Sequence, residues 1–124
     1  MLEDDDALAF LDTRPLFPGH CLLVPKQHFE TIVELPPALT GPLFDKARLL
    51  AAALPLALEA KGTFIAINNR VSQSVAHLHI HVVPRRFKDG LKGFFWPRQR
   101  YADDGEATAV QEQIKGAVDQ LTRG

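Results

Sequence analysis

The chain has 124 residues, 46% of them hydrophobic, which suffices for one compact domain with a core and is too short for two ordinary ones. A formal net charge of -1 and a pI near 6.5 exclude a general attraction to nucleic acid or anionic membrane, so any bound anion needs a local site. The single cysteine, Cys21, excludes an internal disulfide framework, the acidic start Met1-Leu2-Glu3-Asp4-Asp5-Asp6 is not a signal peptide, and no apolar run approaches the ~20 residues that span a bilayer.

Ala7-Leu8-Ala9-Phe10-Leu11 is a short apolar segment followed by turn chemistry, Thr13-Arg14-Pro15 and Pro18-Gly19. His20-Cys21-Leu22-Leu23-Val24, closed by Pro25, is a second such run, and a hairpin between the two is predicted. Leu39, Leu43, Phe44, Ala47, Leu50, Leu54 and Leu58 then recur at spacings of mostly three and four, which predicts an amphipathic helix. Pro42 and Pro55 predict a late start and a break or kink, and Gly62 is expected to close the segment. Thr63 to Ile67 reads as a strand running into the polar loop Asn68 to Ser74, and a further strand is expected from about Val75 to Val83. Past Pro84, periodicity decides nothing until about Ala107 to Thr122, where Val110, Ile114, Ala117, Val118 and Leu121 stand at helical spacing. The aromatic cluster Phe94-Phe95-Trp96 is expected to cover the sheet or an interface. Together these elements predict an α+β fold, an antiparallel sheet with a long helix inserted between strands and a helix at the C-terminus.

Within the run from Val75 to Val83, His77, His79 and His81 alternate with Leu78, Ile80 and Val82, so in an extended chain one face carries imidazoles and the other packs. Repeated imidazoles on one face repel when protonated and tend to stay neutral, which leaves ring nitrogens available for attack or ligation. Same-face neighbours lie ~6.6 Å apart along a strand, which puts the outer two roughly 13 Å apart and too far to share one ion. No metal is therefore expected, and no cofactor is expected. His20 begins its own strand, while Asn68, Asn69, Ser72, Gln73 and Ser74 offer polar groups beside the histidine run and Lys26 or Arg85 offers charge.

The run His77-Leu78-His79-Ile80-His81-Val82-Val83 resembles the signature of the histidine triad (HIT) superfamily of nucleotide hydrolases and transferases. Residues 3 to 28, with Pro18-Gly19-His20 and Pro25-Lys26-Gln27-His28, resemble that family's opening hairpin, and Asn68-Asn69 with Gln73-Ser74-Val75 its substrate loop. Ser72 stands where the family usually has glycine, and the loop is about two residues short. No cysteine-bearing leader precedes the hairpin, so a leader strand or zinc site is expected to be absent or unneeded. Arg85 after Pro84 is similar to the Fhit-like branch and unlike the Hint-like branch, and the choice between them stays open.

The resemblance implies two-step nucleotidyl transfer, cleaving a nucleoside 5'-monophosphate, expected to be AMP, from a leaving group at a phosphoramidate or phosphoanhydride bond. His79 would be the nucleophile, His81 would stabilise phosphate oxygens, His77 would orient His79, and His20 would assist charge or proton movement at the leaving group. Gln73 and Ser74 would bind the phosphate or leaving group with support from Asn68, Asp12 would take the ribose hydroxyls, and Phe10 and Leu11 would lie against the base. Cys21 is expected to be a small buried residue and His28 a surface or structural one. The resemblance also implies a single HIT domain over residues 1–124, with 86–124 a divergent extension. A cytoplasmic homodimer is expected, with a nucleotide as its small-molecule partner and no nucleic acid or membrane. The alternatives are a non-catalytic nucleotide-binding HIT protein and a metal-dependent hydrolase.

Overall fold

The computed structural model describes residues 1–92 and 98–123, so the Phe94-Phe95-Trp96 cluster lies outside the described residues. Contacts divide the chain into two compact units, Met1–Asp89 and Gly90–Gly124. In the first, strands β1 (Leu2–Glu3), β2 (Ala7–Leu11), β3 (Cys21–Pro25), β4 (Gly62–Ala66) and β5 (Ile80–Arg85) form one antiparallel sheet in the order β1-β2-β3-β5-β4. Helix α1 (Pro37–Leu58) packs across β3, β4 and β5. The second unit carries helix α2 (Asp104–Thr122), capped by the Asp103 carboxylate, which accepts the Glu106 N–H at 2.8 Å. Among the described residues no helix is long and apolar enough to cross a membrane.

The hairpin forms because two apolar pentapeptides flank a loop rich in turn residues, and it sets the register Phe10↔Leu22 and Leu11↔Cys21. Strand alternation then sorts the residues. Ala7, Ala9, Cys21, Leu23, Ile80 and Val82 are buried on one face with Leu43, Ala47, Leu50 and Leu54 of α1. Phe10, Leu22 and His81 share a cross-strand row on the other face. The core thus claims one side of the sheet and leaves the other for chemistry.

Three sequence expectations are corrected. The helix starts at Pro37, ahead of Pro42, and continues through Pro55 to Leu58. Burying Leu43, Leu50 and Leu54 contributes about 1.5–3 kcal/mol each, which offsets a cost of about 3 kcal/mol at an interior proline. Glu59, at a left-handed φ of 55°, ends the helix, while Gly62 opens β4. Finally, ladder pairing in the histidine strand begins at Ile80, and the strand runs on through Pro84 to Arg85. The alternation nevertheless extends upstream: His77 and His79 are half-buried around a fully buried Leu78, whose N–H donates to Phe29 O at 2.6 Å. The two-residue β1 was too short to be read from periodicity.

Two loops are strapped together beside this upstream segment. Ile32 N–H donates to Asn69 Oδ1 at 3.0 Å, and Gln73 uses both ends of its amide, accepting from Arg70 N–H at 2.8 Å and donating to Glu30 O at 2.6 Å. Ser72 adopts a left-handed φ of 59°, a conformation that glycine enters without a Cβ penalty. Thr31 and Glu34 form a capping box that opens the 3₁₀ turn Ile32–Glu34.

Gly19 decides how the chain enters β3. Its φ is 100°, and a Cβ there would collide with the Leu58 side chain and lie 3.3 Å from Pro84 Cγ. Gly19→Ala is therefore expected to destabilise the protein by roughly 1–3 kcal/mol, read as a lower denaturant midpoint at unchanged slope. An unshifted midpoint would show that residue 19 is not conformationally restricted.

Candidate active site

On the face opposite α1, Phe10, Asp12, Leu22, Val24, Ser74, Val75, His77, His79 and His81 line an open cavity of about 380 Å³. Leu22 and Val24 follow His20, and Val75 precedes His77, at two-residue steps, so strand period alone would have found all three. Of the candidates read from sequence, Leu11, Asn68, Gln73 and His20 are not in the lining. Leu11 is 56% exposed and Asn68 is exposed. The amide of Gln73 is committed to the loop strap. Lys26 pairs with Glu3 at 2.6 Å and Arg85 with Asp89 at 2.6 Å, so neither supplies charge to the cavity lining.

The protons on the histidines follow from the groups they meet. A backbone carbonyl only accepts and a backbone N–H only donates. His79 Nδ1 lies 2.7 Å from His77 O, so Nδ1 carries the proton and neutral His79 keeps its lone pair on Nε2. Leu16 N–H donates to His20 Nδ1 at 3.0 Å, so neutral His20 carries its proton on Nε2. That Nε2 lies 2.9 Å from His81 Nδ1 and donates to it, which leaves the His81 proton on Nε2. The row therefore offers a bare nitrogen at His79 and an N–H at His81, with ring centroids 5.0 Å apart in an edge arrangement.

His20 is buried, with 4% exposure, and meets the cavity lining through its bond to His81 and, at 3.7 Å, the Asp12 carboxylate. Burial pushes its pKa below the ordinary histidine value, opposed by the Asp12 carboxylate. His81 is also lowered, first by burial and then by the neighbouring His79 and His20, again opposed by Asp12. Both shifts favour the neutral rings that the hydrogen bonds require. Burial raises the Cys21 thiol, which suits a packing residue and not a nucleophile.

Asp12, His20 and His81 bring ligand atoms within 4.8 Å of one another, the spacing of a metal cluster. The donor chemistry does not fit one. His20 Nε2 holds the shared proton, and freeing it for a metal would put a proton on Nδ1, against Leu16 N–H. Asp12 Oδ1 accepts from Arg14 N–H at 2.9 Å, while Oδ2 lies 3.7 Å from His20 Nε2. His20 and His81 form a hydrogen-bonded relay, beside which the Asp12 carboxylate stands at 3.7 Å.

A family model described as HIT domain matches residues 1–88. Adenylylsulfatase HINT3 of Arabidopsis thaliana is 37% identical over 93 residues, covering 73% of this chain and 47% of that protein, so the chain spans about half its length. Protein hit of Bacillus subtilis is 36% identical over 111 residues, covering 88% of this chain and 75% of its own. A solved structure from Streptococcus mutans UA159 superposes with a TM-score of 0.84 at 33% identity over 95% of this chain and 75% of the other. With its triad on one wall of the cavity and its five-stranded sheet backed by a helix, the chain belongs to the HIT domain family.

Proposed function

We propose that the protein is a nucleotidyl hydrolase or transferase that cleaves a nucleoside 5'-monophosphate, with AMP as the expected nucleotide, from a leaving group through a covalent intermediate on His79. The observation that carries this reading is the 2.7 Å bond from His79 Nδ1–H to His77 O, which fixes the nucleophilic lone pair on Nε2. In the first step Nε2 forms a bond to the α-phosphorus, and the bond to the leaving group breaks with its electron pair. In the second, water attacks phosphorus and gives up a proton to solvent, the P–N bond breaks, and the pair returns to Nε2. Positive charge that develops on the His79 ring is stabilised by its Nδ1–H bond to the carbonyl, while the His81 Nε2–H donates to a phosphate oxygen. Ser74, at the cavity wall, supplies a hydroxyl for the phosphate or leaving group, Asp12 a carboxylate for the ribose, and Phe10 an apolar surface for the base.

The relative named an adenylylsulfatase supports an adenylyl group on the attacked side. The first compact unit, Met1–Asp89, nearly coincides with the matched span and carries every proposed site residue, and residues 86–124 are taken as a divergent extension of the same domain. The reading includes a cytoplasmic homodimer joined through the edge of the sheet at β4, where Ile65 is 42% exposed. A size-exclusion mass of one chain would remove the dimer.

Adenosine phosphoramidate, adenylylsulfate and a diadenosine polyphosphate should be compared as substrates. His79→Ala is expected to lower turnover by about 10⁴-fold or more, and quenching the wild type should trap an acid-labile nucleotide. Equal turnover by the variant would sink the mechanism, whereas tight nucleotide binding without turnover in the wild type would favour a binding protein.

The pH dependence has a defined sign. His20 and His81 bind protons more weakly folded than unfolded, so stability is held above the ordinary histidine value of 6.5 and lost as pH falls below it. Activity should hold from pH 8 to about 6.5 and decline at lower pH, below an ordinary histidine titration. A profile that rises on acidification would contradict the neutral relay.

A further inference from the structure

His79 stands just before the point where β5 joins its neighbours, so among the described residues no ladder bond fixes the His77 carbonyl that holds its ring. What holds this segment is residues 25 to 29. Leu78 N–H bonds Phe29 O at 2.6 Å, and the His77 ring is caught between Pro25 O, 2.9 Å from Nε2, and His28 Nδ1, 3.0 Å from its own Nδ1. Pro25 O can only accept, so His77 Nε2 carries the proton and the lone pair of the neutral ring lies on Nδ1. His28 must then donate, from Nδ1–H. The two rings lie nearly parallel, 15° apart with centroids at 5.1 Å.

We propose that His28, an exposed residue outside the triad, is a positioning residue: its Nδ1–H and the Pro25 carbonyl clamp the His77 ring, so that the His77 carbonyl stays where it aims the His79 nucleophile. The proposal rests on the nucleotidyl-transfer reading for its kinetic consequence and on the hydrogen-bond geometry alone for its structural content. His28 does not line the cavity and touches no reacting atom. Losing it should therefore change the chemical step and leave substrate binding intact.

The substitutions differ by one atom's chemistry. Asn carries an N–H donor close to the position of histidine Nδ1, Asp of the same shape only accepts, and Ala does neither. His28→Ala and His28→Asp are expected to lower kcat about tenfold at little-changed KM, the low end of what losing a partner that orients a ligating histidine costs. His28→Asn is expected to recover most of that loss. In the unliganded wild type, ¹⁵N spectra should show His77 protonated on Nε2 and His28 on Nδ1. Wild-type kcat in His28→Ala, an Asn variant as slow as Ala, or a His77 protonated on Nδ1 would each overturn the proposal. The spectra need no turnover: failure of His79→Ala to abolish activity would overturn the mechanism while the tautomers still decide the clamp.

Discussion

The bond from His79 Nδ1–H to the His77 carbonyl is the interaction on which the site depends, because it selects the nitrogen that faces the cavity. A free imidazole exchanges its proton between two nitrogens and its ring between rotamers. Here the acceptor lies two residues back on the same chain, so the His79 ring and the carbonyl that holds it move as one piece. Their relation to the sheet then becomes the quantity that must be held. Ile80, next in sequence, is fully buried and pairs with Leu23. The core under the sheet thus anchors the chemistry above it.

The sheet reconciles two demands by its period of two. Leu78, Ile80 and Val82 have no exposed surface, and the intervening histidines are half-buried, so each change that strengthens the core leaves the chemical face in register. A slip of one residue would put three imidazoles into an apolar layer, where each buried polar ring needs a partner or costs free energy. Register is therefore specified from both faces. The hairpin contributes in the same way: Phe10, Leu22 and His81 align only because Gly19 and the turn before it bring β3 in at one register.

Much of this was legible before any coordinates. Alternation named both faces of the histidine run, and spacing in α1 named Leu43, Ala47, Leu50 and Leu54 as packing residues. Local propensity failed where tertiary contacts overrode it. The prolines read as breaks because sequence does not show how much of α1 is buried. The histidine run read as a strand from its start, although pairing waits until Ile80, since a strand's extent is set by its partners. His28 read as a surface residue, and it is exposed; its bond to a histidine 49 positions away has no local signature. The depth of His20, and its service to His81 instead of the cavity, required the fold as well.

Two hydrogen-bond chains divide the site. One begins at the Leu16 N–H and runs through His20 to His81; the other runs from His28 through His77 to the Pro25 carbonyl. Each contains a backbone group that can only donate or only accept, so proton positions on four rings are set without any ionised partner holding them. Among the described residues lining the cavity there is no lysine or arginine. A row of cations there would repel one another and carry a desolvation cost, whereas neutral rings carry neither. The cavity wall thus presents oriented N–H dipoles and one bare nitrogen, an arrangement whose strength comes from position.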